Sequence, residues 1–220
     1  MKPDKDTVLA KMRLYVLLSP EQCKVPILDA ARAALDGGAD VVQLRCKESS
    51  DREIVRLSRD LRKMTENAGV GFIMNDRADL AKLVNADGVH LGQEDLPPAA
   101  ARKVLRRGQI VGVSTHTIEQ ARQAVADGAE YIGVGPIYPT QTRGYEKGVG
   151  VKHLSAVAAD VQLPLVAIGG ITVGNVRAIL SAAPQRHIAI AVCSAIIGAQ
   201  DIRGATEAFK RAIEATLAGR

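Results

Sequence analysis

Apolar residues recur along this chain in two alternating rhythms. Short runs rich in β-branched residues alternate with stretches in which apolar positions return every three to four residues. The first rhythm predicts strands at 14–18, 41–45, 71–75, 88–91, 110–114, 131–135, 165–168 and 188–193. The second predicts helices at 26–36, 51–68, 78–84, 97–106, 118–127, 151–161, 173–182 and 202–217. Strict alternation of this kind implies a parallel sheet joined by right-handed crossovers. A weak internal repeat agrees: Gly38-Ala39-Asp40, Ala86-Asp87-Gly88 and Gly128-Ala129-Glu130 each stand just before a predicted strand, where a helix ends on a glycine-type turn.

Two α/β architectures produce such a pattern. A doubly wound open sheet usually has fewer strands and carries a glycine-rich phosphate fingerprint after the first one. Here that segment reads Ser19-Pro20-Glu21-Gln22. The expectation is therefore a single (β/α)8 TIM barrel over residues 1–220, with 1–10 as a polar N-terminal extension. The 220 residues lie close to the length of about 250 usual for that fold. Barrel chemistry sits where the strands end, so those positions are read for function.

Composition narrows the partners. Lys plus Arg number 29 against 24 Asp plus Glu, a net charge of +5 that favours anions only weakly. Aromatics are 3% and Trp is absent, which removes the stacking platforms of single-strand nucleic-acid binders, so no nucleic acid is expected. Cys23, Cys46 and Cys193 are odd in number and form no C-x-x-C pair, which argues against a disulfide framework or thiolate zinc and for a reducing cytosol. Residues 1–10 lack an apolar signal core, and the near-apolar run 188–199 is too short to span a bilayer. The chain is expected to be cytoplasmic, without membrane contact and acting on small molecules; homo-oligomerisation stays open.

The second predicted strand carries the strongest chemistry. Alternation puts Gln43, Arg45 and Lys47 on one face and Val42, Leu44 and Cys46 on the other. The apolar face must meet the helices, so the polar triplet points into the barrel mouth. Buried cations there are costly unless anions answer them, either in an internal salt-bridge layer or, the better account, in a diphosphate ligand. Asn75-Asp76 and Gln93-Glu94-Asp95 end the next two strands. Each acid could cap a following helix, but as a pair beside Arg45 and Lys47, Asp76 and Asp95 suit Mg²⁺, which takes a few carboxylates and completes its octahedron with water and phosphates.

The remaining strand ends point to a second anion site. Ser114 ends the fifth strand, where a hydroxyl can meet a phosphate oxygen. His116 precedes a helix cap at Thr117, and His90 reads as a hydrogen-bonded core histidine; neither is given a catalytic role. The loop after the sixth strand contains Thr140-Gln141-Thr142-Arg143, a phosphate clamp on a long glycine-rich segment. Gly169-Gly170 and Cys193-Ser194 close the last two strands, where barrels commonly bind phosphate through backbone N–H groups. Cys193 reads as a small apolar filler.

Taken together, Gln43-Leu44-Arg45-Cys46-Lys47, Asn75-Asp76-Arg77, Gly88-Val89-His90-Leu91-Gly92-Gln93-Glu94-Asp95, Gly112-Val113-Ser114, Gly135-Pro136-Ile137-Tyr138-Pro139-Thr140-Gln141-Thr142 and Ile168-Gly169-Gly170-Ile171 resemble the thiamine-phosphate synthases over nearly the whole chain. That resemblance implies condensation of hydroxymethylpyrimidine diphosphate with a thiazole phosphate, Mg²⁺-dependent and dissociative, releasing pyrophosphate. It implies that Gln43, Arg45, Lys47 and Asn75 hold the pyrimidine diphosphate, that Asp76 and Asp95 bind Mg²⁺, and that Ser114 contacts the pyrophosphate. Thr140, Thr142, Gly170, Cys193 and Ser194 would hold the thiazole phosphate. Arg45, Lys47 and Ser114 would carry the catalysis, by charge stabilisation at the leaving group.

Three positions depart from the family pattern. Arg143 stands where Lys is usual, Cys193 replaces an aliphatic residue, and Gln185-Arg186-His187 precedes the eighth strand where a glycine turn is usual, which is expected to alter the rim of the phosphate pocket. Two rivals are a thiazole tautomerase on the same barrel and a non-catalytic sensor of phosphorylated ligands. The tautomerase is expected to carry a general-base His after the sixth strand, where this chain has Pro136.

Overall fold

The structure is a computed structural model that describes residues 3–140 and 147–219. Eight parallel strands close on themselves in sequence order: β1 (Leu14–Leu18), β2 (Val41–Leu44), β3 (Gly71–Asn75), β4 (Gly88–Leu91), β5 (Ile110–Thr115), β6 (Tyr131–Val134), β7 (Leu165–Ile168) and β8 (Ile188–Val192), with β8 pairing back to β1. Each strand is buried on both sides, because one side chain in two faces the barrel interior and the next faces a helix. Val16, Leu18, Val42 and Leu44 join the outer core under the helices, while Tyr15, Leu17, Val41 and Ile73 join an inner core.

The helices are α1 (Lys5–Lys11), α2 (Ile27–Asp36), α3 (Asp51–Ala68), α4 (Ala78–Leu83), α5 (Pro98–Val104), α6 (Ile118–Ala126), α7 (Gly150–Asp160), α8 (Val176–Ser181), α9 (Ser194–Ile197) and α10 (Ile202–Ala218). The (β/α)8 expectation holds, with two additions. Residues 1–10 were expected as a polar extension, yet α1 forms there, started by Asp4, whose carboxylate accepts from the Thr7 N–H at 2.7 Å. Its single buried residue, Val8, plugs the lower end of the barrel with Met12 and sits over Gly71, where a Cβ would meet it at 2.8 Å. Val8 and the partly buried Leu9 beside it make no periodic stripe, which is why the pattern is invisible in sequence. The second addition is α9, one turn directly after β8. The predicted helix 173–182 divides: a 3₁₀ turn, Val173–Asn175, closed by Thr172 and Asn175, precedes α8.

The repeated acidic positions before β2, β4 and β6 have one shared job at the lower end. Asp40 accepts the Leu14 N–H at 2.8 Å and the Lys210 ammonium at 2.6 Å. Asp87 accepts the Phe72 N–H at 2.7 Å and Arg62 at 2.8 Å, with both side chains of that ion pair buried. Glu130 accepts the Val111 N–H at 2.7 Å, Arg102 at 2.5 Å and Lys5 at 2.9 Å. Each thus ties an amide within the first two residues of the preceding strand to a cation carried by a helix.

Residues 185–187 belong to this end as well. Arg186 donates to the carbonyls of Leu163 (3.1 Å) and Ala158, and His187 to that of Met12 (2.7 Å). The expected effect on the phosphate rim is therefore corrected: a turn that precedes a strand lies at the opposite end of the barrel from the mouth.

Candidate active site

Gln43 lies buried inside the barrel on β2. One residue past the strand, the Arg45 N–H still pairs with the Leu18 carbonyl at 2.8 Å, which keeps the alternation in phase and turns the half-buried guanidinium toward the mouth. Its Nη1 reaches Ser19 Oγ at 3.4 Å, while its Nε is buried with no hydrogen-bond partner among the described residues. A buried guanidinium nitrogen left open in this way is set for an anionic ligand.

Glu21, in the turn after β1, organises this segment and was not singled out from the sequence. It accepts from Ser19 and from the backbone N–H groups of Lys47 (3.0 Å) and Glu48 (3.3 Å). Burial works to raise its carboxyl, but these hydrogen bonds outweigh burial and hold it below the usual range. Cys46 is unsuited to be a nucleophile: burial first, and Glu21 second, push its thiol up to about 11.

Beside this clamp stand the two acids. Asp76 has left-handed backbone (φ 61°), and its N–H donates to the His90 carbonyl at 2.8 Å, which fixes the carboxylate at the mouth. Lys47 pairs with it. Asp95 accepts the Gly92 N–H at 2.6 Å and lies within hydrogen-bonding reach of Asp76. Burial, then Asp76, raises the Asp95 carboxyl above its ordinary value. Neither acid caps a helix: Arg77 holds the N-cap position of α4 and Pro97 that of α5, each without a side-chain cap bond. Two carboxylates crowded together fit a divalent cation, and among the described residues no group of three or more His, Cys, Asp or Glu forms a closed metal cage. That donor set suits Mg²⁺, which leaves most of its sphere to water and phosphate.

One cavity at the mouth gathers Gln43, Arg45, Ser114, Thr140, Gly170, Cys193 and Ser194. Lys47, Asn75, Asp76 and Asp95 are not part of its lining: Lys47, Asp76 and Asp95 cluster with one another past the ends of β2, β3 and β4, and Asn75 is buried at the end of β3, paired in register with His90. Gln141, Thr142 and Arg143 lie outside the described residues. On the far wall Gly169 (φ 98°) and Gly170 (φ 63°) turn tightly under the loop after β6; a Cβ on Gly170 would meet the Pro139 carbonyl at 2.5 Å. The cavity is also lined by Tyr15, which the sequence reading did not single out, and by His90 and His116, to which it gave no catalytic role. Thr117 does cap α6, accepting the Gln120 N–H at 3.2 Å, but the His116 ring also bonds the Gly135 carbonyl at 2.6 Å.

Fold and mouth define a class: a (β/α)8 barrel that gathers charged and hydroxyl side chains at its strand ends, as barrel enzymes do. The thiamine monophosphate synthase family matches residues 14–196 of the chain. The thiamine-phosphate synthase of Moorella thermoacetica is 44% identical over 86% of this chain and 89% of its own length. That of Halalkalibacterium halodurans is 41% identical over 92% and 95%. The solved thiamine phosphate pyrophosphorylase of Pyrococcus furiosus superposes with a TM-score of 0.86 at 37% identity, covering 94% of this chain and 98% of that one. The chain belongs to the thiamine monophosphate synthase family. A 3-hexulose-6-phosphate synthase, 18% identical with a TM-score of 0.67, shares the fold alone.

Proposed function

We propose that this chain is a transferase that joins hydroxymethylpyrimidine diphosphate to a thiazole phosphate, giving thiamine phosphate and pyrophosphate. Besides family membership, the observation that supports this reading is the single cavity with the open Arg45 guanidinium and Ser114 on one side and the glycine turn of β7 on the other. Two anion-binding walls suit two phosphorylated substrates held in line.

In this reading Gln43 and Asn75 orient the pyrimidine, and Arg45 and Lys47 answer the diphosphate. The C–O bond to the diphosphate breaks with its electron pair leaving on pyrophosphate, and the thiazole nitrogen lone pair then forms the new C–N bond. Ser114 and Arg45 donate hydrogen bonds to the oxygens on which charge grows. Gly170, Cys193 and Ser194, with Thr140 and the segment of Gln141, Thr142 and Arg143, hold the thiazole phosphate. Asp76 and Asp95 would hold Mg²⁺, which when bound neutralises charge on the departing diphosphate. No protein nucleophile is needed, in keeping with the raised Cys46 thiol. We place the reaction in the cytosol on this one barrel; among the described residues no helix is long and apolar enough to cross a membrane.

Product formation from the two substrates, with Mg²⁺ and then with EDTA, tests the proposal. Thiamine phosphate and pyrophosphate that appear only with metal are the expected result. Folded protein that binds both substrates and makes no product would sink it and leave the sensor. The tautomerase has no support in the residues, since 135–149 contain no histidine to act as base.

A further inference from the structure

Five polar side chains from five strands form a continuous hydrogen-bonded chain through the barrel interior, of which the proposed reaction uses only the two ends. Gln43 Nε2 donates to Tyr15 Oη at 2.7 Å. The Tyr15 and Tyr131 hydroxyls lie 3.0 Å apart, Tyr131 Oη lies 2.9 Å from His90 Nδ1, and His90 Nε2 lies 2.8 Å from Ser114 Oγ. The His90 and Tyr131 rings stack with centroids 5.5 Å apart, and Tyr15 meets Tyr131 edge-on at 6.2 Å.

The strands make room for this chain. A Cβ on Gly112 would lie 2.0 Å from Tyr131 Cζ, and one on Gly133 would lie 3.2 Å from His90 Cε1. Glycine inside a strand weakens it. Here it clears space for the two rings.

The polarity of the chain follows from its first member. An amide nitrogen can only donate, so Tyr15 Oη accepts from Gln43, and the Tyr15 proton must go to its other polar neighbour, Tyr131. Tyr131 Oη, accepting from Tyr15, gives its own proton to His90 Nδ1, because if it also accepted from an Nδ1–H its buried proton would be left without an acceptor. That leaves the proton of the neutral imidazole on Nε2, aimed at Ser114 Oγ. The reverse polarity would leave the proton of the fully buried Tyr15 without an acceptor. Burial also raises both phenols above their ordinary range, so both remain donors.

We infer that His90 is a positioning residue: held by Tyr131 as the neutral Nε2–H tautomer, it fills an acceptor site of Ser114 and reserves the serine proton for the departing diphosphate. A diphosphate can only accept at its oxygens, so a serine whose proton was spent on His90 would present it with lone pairs instead. The inference rests on the function proposed above, but its first test needs no turnover.

Nitrogen-15 NMR of the histidine-labelled full chain, with the His90 signals assigned by their loss in His90→Gln, reads the tautomer directly. We expect a protonated Nε2 and a bare Nδ1 at neutral pH, and in Tyr131→Phe a mixture of both tautomers. An Nδ1–H tautomer or an imidazolium in the unsubstituted protein overturns the inference.

Kinetics supply the second test. His90→Phe should lower kcat on the order of 10- to 100-fold with KM for the thiazole phosphate unchanged. His90→Gln, which places an amide donor near the lost Nε2, should recover most of that. In a Ser114→Ala background His90→Phe should cost nothing more. Equal losses in the Gln and Phe variants, or additive losses with Ser114→Ala, overturn the role, and thermal melting of each variant separates it from misfolding. An unsubstituted protein without turnover would sink the proposed function together with the role, whereas the wrong tautomer would sink the role alone.

Discussion

At the lower end of the barrel Asp40, Asp87 and Glu130 each accept an N–H from the first two residues of a strand and a helix cation, whereas at the mouth Asp76 and Asp95 lie against one another and share one partly exposed lysine. The residue types are the same and the environments opposite. A carboxylate that accepts from both a strand amide and a helix cation holds the chain together. A carboxylate crowded by another has capacity left for a cation that the chain does not supply, and local rules of satisfaction are broken where binding is the purpose.

The sharpest way to break this contrast is at Asp87. Asp87→Ala takes the buried carboxylate from the Arg62 guanidinium, leaving it the more exposed Glu66 at 3.3 Å, and leaves the Phe72 N–H without its acceptor. It should cost about 3–5 kcal/mol of stability in denaturant unfolding, with near-normal turnover per folded molecule. A loss near zero would mean that the lower acids do not staple the barrel.

At the mouth the same kind of change should do the reverse. Asp76→Asn is expected to reduce thiamine phosphate formation on the order of 10²-fold with little change in melting temperature. If instead stability fell and turnover held, Asp76 would belong with the lower acids.

The smallest effect concerns Asp95 and pH. Burial and Asp76 raise its carboxyl in the folded state, so its contribution favours folding in acid, below the ordinary Asp range, and is lost as pH rises through the raised value. In EDTA near neutral pH, Asp95→Asn should melt slightly above the unsubstituted protein, and this lead should vanish in acid. A lead that persists unchanged in acid would show that ionisation of the pair is not its cause.

Legibility in sequence followed the range of the interaction concerned. β1, β3, β4 and β7 begin and end where apolar alternation places them, because strand burial is written into neighbouring residues. Gln43, Arg45 and Lys47 were legible for the same reason, since a period of two decides which side chains share a face. Asp76 and Asp95 were legible as candidates, and only their crowding at the mouth separated them from helix caps. Glu21 and His90 were not legible. Glu21 acts on Lys47 and Glu48 across the gap between two strands, and His90 is one polar residue in an otherwise apolar strand, indistinguishable from a satisfied core histidine until Tyr131 and Ser114 are brought to its two nitrogens.

By itself, then, the sequence determined the alternation of strand and helix, the closed parallel architecture that alternation implies, the inward face of the second strand and the family the chain resembles. Tertiary structure alone decided which partners each acid meets, which residues gather around the cavity, and the direction in which hydrogen bonds run from Gln43 to Ser114. The physical reason is that hydrophobic periodicity is local, whereas a polar group's role depends on its partners, and here those partners arrive from other strands of a closed sheet.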